Sequence, residues 1–91
     1  MHTASLFPGA PELSFAQNEL ADAVMPMVPV GSDLEPRVTL SARVLEMARQ
    51  THVLILGDEK KAALAQAQTL SPVEAPIAQF LSNATVHWSP V

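Results

Sequence analysis

The hydrophobic pattern changes texture near residue 36. Before it, apolar residues come in short clusters broken by Pro8, Pro11, Pro26, Pro29 and Pro36. Each proline fixes φ and removes an amide donor, so neither a long helix nor a central strand fits there. Residues 14–23 are expected to make about two helical turns. Residues 24–30 should run extended, at a sheet edge because of their prolines, and residues 31–36 should form a loop.

After residue 36 the pattern becomes regular. Arg37-Val38-Thr39-Leu40 predicts a short strand, and Ser41 is placed to N-cap a helix running to about residue 50. Leu40, Val44, Leu45 and Ala48 recur at helical spacing, with Arg43, Glu46, Arg49 and Gln50 opposite. Val53-Leu54-Ile55-Leu56 is apolar without alternation, which suits a strand covered on both faces, as in parallel sheets. Residues 58 to about 70 are rich in Ala, Lys, Gln and Leu and predict a second helix. Residues 76–81 predict one more helical turn, and residues 85–89 a closing strand with Val86 and Trp88 on one face. The order is that of a right-handed βαβ crossover. A strand apolar on both faces needs two helix layers, more than these elements supply. The expected fold class is therefore α/β, an incomplete part of a three-layer α/β/α fold with a mainly parallel sheet. Within residues 1–91, residues 1–36 form a loop-rich segment and residues 37–91 a helix–strand–helix–strand unit.

Composition narrows the function. At 48% hydrophobic and 15% charged, the 91 residues are not a disordered tail. A net charge of −4 offers no basic stripe for phosphate backbones, so no nucleic-acid partner is expected. With no cysteine, disulfides, thiolate metal sites and a cysteine nucleophile are excluded. The longest apolar stretch, residues 23–30, falls far short of the roughly 20 residues a membrane helix needs. Met1 to Ser5 lack the basic-then-apolar order of a signal peptide, so a cytoplasmic location is expected.

Candidate chemistry is sparse. His2, His52 and His87 are too scattered in sequence for a local metal pair, and His52 and His87 read as ordinary polar positions. His2 opens a run with two hydroxyls, Thr3 and Ser5, and then a Pro-Gly turn; no nucleophile elbow supports Ser5 as a nucleophile. At the junction Leu56-Gly57-Asp58-Glu59-Lys60, the two acids suit a helix start. Lys60 makes sense there beside a bound anion, or as a solvated lysine, and Lys61 reads as solvated. Arg37 could clamp a phosphate or pair with Glu35 or Asp33.

These segments resemble a family. His2-Thr3-Ala4-Ser5-Leu6-Phe7-Pro8-Gly9 is similar to the Asp-Gly-His-Thr-Ala-Ser-Leu-Phe-Pro-Gly signature of 6-phosphogluconolactonases. Pro36 to Ser41 resembles their Arg-(Ile/Val)-Thr-Leu-Thr segment, Val53 to Lys60 their apolar strand ending Gly-x-x-Lys, and Asn83 to Trp88 their closing Asn-Val-Thr-Trp strand. The related glucosamine-6-phosphate deaminases carry a Glu where Phe7 stands, and a phenyl ring transfers no proton. The resemblance implies hydrolysis of 6-phosphogluconolactone to 6-phosphogluconate in the pentose phosphate pathway, with no cofactor and no metal. It implies His2 as general base, Lys60 and Arg37 on the 6-phosphate, and Thr3 and Ser5 near the substrate. Family members are more than twice this long, with a Gly-Gly phosphate loop and an Asp-Gly before the histidine that are not found here. The partners expected are thus a phosphorylated sugar lactone and a missing N-terminal half or second chain. The alternatives are a sugar-phosphate isomerase or deaminase, and a non-catalytic fragment.

Overall fold

A computed structural model describes residues 3–31 and 34–91. Among the described residues the proline-rich part contributes one short helix, α1 (Leu13–Ala16), and an edge strand, β1 (Val24–Met27). The helix is shorter than its sequence suggests because Asn18 ends it: its Oδ1 accepts the Leu20 amide at 2.8 Å, and its carbonyl accepts that of Ala21 at 3.1 Å. Asparagine competes with helix in this way by mimicking a backbone turn. β1 pairs antiparallel with β2 (Arg37–Leu40), Pro26 standing opposite Val38. Two strands make an all-edge sheet, which is where a proline is tolerated.

Ser41 sits in extended backbone ahead of α2 (Ala42–Glu46), and its carbonyl accepts the amides of Val44 and Leu45. Its hydroxyl makes no cap bond and is buried without a hydrogen-bond partner among the described residues. The helix also stops before residue 50, since Met47 and Ala48 bond back three residues and tighten its end. Of the apolar positions at helical spacing, Leu40 belongs to β2 and faces outward, and Ala48 is exposed. Ala42 and Leu45 make the inward contact instead.

The remaining elements follow the expected order. β3 (Thr51–Leu56) leads through α3 (Asp58–Ala67) and two 3₁₀ turns, Pro76–Gln79 and Leu81–Asn83, to β4 (Ala84–Ser89). β3 and β4 pair in parallel, Leu54 opposite His87 and Ile55 opposite Trp88. Only one face of this sheet is covered: Ile55 is buried against Leu64, Ala67 and Ile77, whereas Leu54 and Leu56 are 73% and 52% exposed. The continuous apolar run thus lacks its second covering layer among the described residues. A separate core gathers Leu6, Phe7, Leu13, Met27, Ala42 and Phe80 beneath the β1–β2 sheet. Among the described residues no helix is long and apolar enough to cross a membrane.

Candidate functional site

Two turns shape the N-terminal segment. The Leu6 amide donates to the Thr3 carbonyl at 2.9 Å, with Ala4 at φ 50° inside the turn. A residue with a Cβ rarely takes that conformation, so the turn is held from outside. One restraint is visible: the Ser5 amide donates to Thr39 Oγ1 of β2 at 3.2 Å, and Thr39 is buried. Next, the Ala10 amide donates to the Phe7 carbonyl at 3.2 Å around Pro8 and Gly9, with Gly9 at φ 80°. Proline at the first central position and a positive-φ glycine at the second are the requirements of a type II turn. The two turns bracket Leu6 and Phe7 and drive both into the core.

Arg37 meets this segment from β2. Its guanidinium lies 5.5 Å from the centre of the Phe7 ring, within cation–π range. Its Nε donates to the backbone carbonyl of Glu35 at 3.1 Å, where the sequence suggests a carboxylate partner. His2, the expected general base, lies outside the described residues, as does Asp33.

Lys60 stands elsewhere. β3 ends at Gly57, whose φ of 87° and ψ of 163° belong to glycine alone and turn the chain into α3. The turn is tied to β4 twice: the Gly57 amide donates to the Ser89 carbonyl at 2.8 Å, and Trp88 Nε1 donates to the Gly57 carbonyl at 2.9 Å. Asp58 and Glu59 open the helix, and exposed Lys60 lines a shallow groove of about 370 Å³ with Glu59, Ala63, Gln66 and Leu70. Lys61 is not simply solvated, because its Nζ lies 4.0 Å above the Trp88 ring.

The structure therefore brings Thr3, Ser5 and Arg37 into one neighbourhood, joined through Thr39 and Phe7. None of the three lines the Lys60 groove. Lys60 follows the carboxyl end of β3, while Thr3 lines a cleft with Thr51 and His52 at its amino end. A six-residue strand separates those ends by about 17 Å. Sequence reasoning missed the part played by four residues. Thr39 and Trp88 lay inside motifs without an assigned role, and only the parallel register brings His52 Nδ1 and His87 Nε2 to 2.9 Å. Among the described residues no three His, Cys, Asp or Glu side chains group as a metal site.

Comparison with known proteins adds a family signal. A family model described as glucosamine-6-phosphate isomerases/6-phosphogluconolactonase matches residues 1–88. A solved 6-phosphogluconolactonase from Shewanella baltica OS155 superposes with a TM-score of 0.88 at 28% identity, covering 97% of this chain and 39% of that one. A protein provisionally assigned as a 6-phosphogluconolactonase, from Neisseria gonorrhoeae FA 1090, superposes with a TM-score of 0.83 at 29% identity, covering 96% of this chain and 39% of that one. This chain thus spans about two fifths of the length of those structures. No curated protein matches it.

Proposed function

The chain belongs to the glucosamine-6-phosphate isomerase/6-phosphogluconolactonase family, and from that premise we propose that it supplies the C-terminal part of a lactonase acting on 6-phosphogluconolactone. The observation that carries this reading is the superposition on the Shewanella 6-phosphogluconolactonase over 97% of the chain. Phe7 supports the lactonase branch against the deaminase branch. It is 8% exposed and packed in the core, so the position offers no acid for proton transfer.

In the proposed reaction His2 takes a proton from water as its oxygen attacks the lactone carbonyl carbon. The ring carbon–oxygen bond then breaks, and the proton held by His2 passes to the leaving alkoxide, giving 6-phosphogluconate. An unperturbed imidazole titrates near pH 6.5 and suits this role. Lys60 is assigned to the phosphate and Thr3 and Ser5 to orienting the substrate, while Arg37, held over Phe7 and bonded to the Glu35 carbonyl, stays with the N-terminal segment; the site is completed by the part of the fold that this chain does not span. The apolar β3 face left open at Leu54 and Leu56 is the surface that part covers.

The test combines this chain with a polypeptide carrying the remaining part of the Shewanella protein and follows lactone opening. Hydrolysis is expected only with both pieces present, falling by about 100-fold or more in His2→Ala. Lys60→Ala is expected to raise KM more than it lowers kcat. Ammonia release from glucosamine 6-phosphate by the same mixture would instead favour the deaminase branch, and unchanged hydrolysis in His2→Ala would remove the role given to that residue.

A further inference from the structure

Trp88 stands opposite Ile55 in the strand register, on the sheet face that α3 covers and away from Leu54. From there it holds the first turn of α3 in two ways. Its indole Nε1 donates to the Gly57 carbonyl at 2.9 Å. The same carbonyl accepts the Lys61 amide at 3.3 Å, the bond that opens the helix. Its ring also lies 4.0 Å from Lys61 Nζ, within cation–π range. A lysine ammonium rides on a flexible four-carbon stem, so two adjacent lysines have no intrinsic division of labour. Here the ring divides them. Lys61 is drawn onto Trp88, while Lys60, about 100° away around the helix, lines the groove with Glu59 and Ala63.

We propose that Trp88 is a positioning residue for the phosphate end of the substrate, acting through Lys60. The proposal rests on the lactonase reading, in which Lys60 anchors the phosphate and Trp88 itself touches no substrate. Gly57 has no side chain to restrain the turn at its φ of 87°, so the restraint comes from its backbone bonds. The Trp88 Nε1 hydrogen fixes the carbonyl on which the first helical turn is built. The π face takes up the Lys61 ammonium, which would otherwise offer the phosphate a second, displaced seat. One seat means one distance from the phosphate to the lactone carbonyl, and that distance sets how the carbonyl meets the general base. Trp88 is 39% exposed and stands outside the cluster of Ile55, Leu64, Ala67 and Ile77, so its substitution leaves that core in place.

The experiment uses the two-polypeptide mixture and compares two variants. Trp88→Phe keeps a ring for Lys61 but has no N–H, and Trp88→Leu has neither. KM for 6-phosphogluconolactone is expected to rise about 3- to 10-fold in Trp88→Phe and further in Trp88→Leu, with kcat falling less than about 2-fold. On top of Lys60→Ala, Trp88→Phe should add nothing to KM, because the residue it positions is gone; a merely structural role would give additive effects. An unchanged KM in Trp88→Phe, or its full rise repeated in the Lys60→Ala background, would overturn the positioning role and leave the lactonase reading standing. A mixture that opens no lactone refutes the lactonase reading instead. The positioning role is then decided on the 91-residue chain alone, its lysines carrying isotopically labelled methyl groups and 6-phosphogluconate as the probe. The Lys60 resonance should shift in the parent and need about 3- to 10-fold more probe in Trp88→Phe. Equal titrations, or no shift at Lys60, would overturn it.

Discussion

Among the described residues Ser41 and Thr39 are the two buried polar side chains, and they behave in opposite ways. Ser41 looks like a helix cap in sequence and has cap backbone geometry, but its hydroxyl has no hydrogen-bond partner among the described residues. A working cap would lose about 1 kcal/mol on truncation. Ser41→Ala removes an unsatisfied buried group instead, so it is expected to be neutral or to stabilise by up to about 1 kcal/mol in urea unfolding. Thr39 is satisfied on both counts, accepting from the Ser5 amide and donating to the Leu40 carbonyl at 3.0 Å. Thr39→Val keeps the shape and strands the Ser5 amide, with an expected cost of about 1–2 kcal/mol by the same measurement. Thr39→Ser should cost less, because the acceptor survives.

At the scale of elements, the junction between β3 and α3 is held by backbone conformation and by two bonds from β4. A Cβ added at Gly57 would meet no atom within 4 Å, so a substitution there is opposed by backbone strain and not by crowding. Gly57→Ala is accordingly expected to cost about 1–3 kcal/mol. Emission from Trp88, the single tryptophan, should shift in that variant as its bond to the Gly57 carbonyl loosens. Local features of this kind are the ones that the sequence makes legible. The Pro8-Gly9 turn, β3, α3, the 3₁₀ turn at Pro76 and β4 all follow from neighbouring residues. The lengths of α1 and α2 do not, because Asn18 captures the chain in one and three-residue back-bonding closes the other. Non-local pairing is the least legible. Arg37 over Phe7, Ser5 on Thr39 and the two facing histidines each depend on how separate elements register, which periodicity along the chain does not encode. The resemblance to lactonases named Thr3, Ser5, Arg37 and Lys60 together, and the structure gathers the first three while Lys60 lines a groove of its own.

For the whole molecule, the open sheet face governs behaviour. Leu54 and Leu56 project from a strand whose apolar run is that of a doubly covered strand, and about three fifths of the related structures have no counterpart in this chain. Contiguous exposed apolar surface of this sort marks an interface or an aggregation hazard. The 9.7 kDa chain alone is expected to bind a dye such as ANS and to associate as its concentration rises, both visible by fluorescence and light scattering. Leu54→Lys combined with Leu56→Glu separates the two roles of that face. Both side chains are largely in water, so the chain's own stability should change by only about 0.5 kcal/mol. Dye binding and self-association should fall, because the charges make the face soluble. The same double variant should fail to join the companion polypeptide, since docking would then bury two charges in an apolar layer. Hydrolysis by the mixture would drop with it, although neither residue is assigned to the chemistry. A double variant that still restores full lactone hydrolysis would place the docking surface elsewhere, with the β1–β2 sheet and its exposed Val24, Val38 and Leu40 the next face to charge.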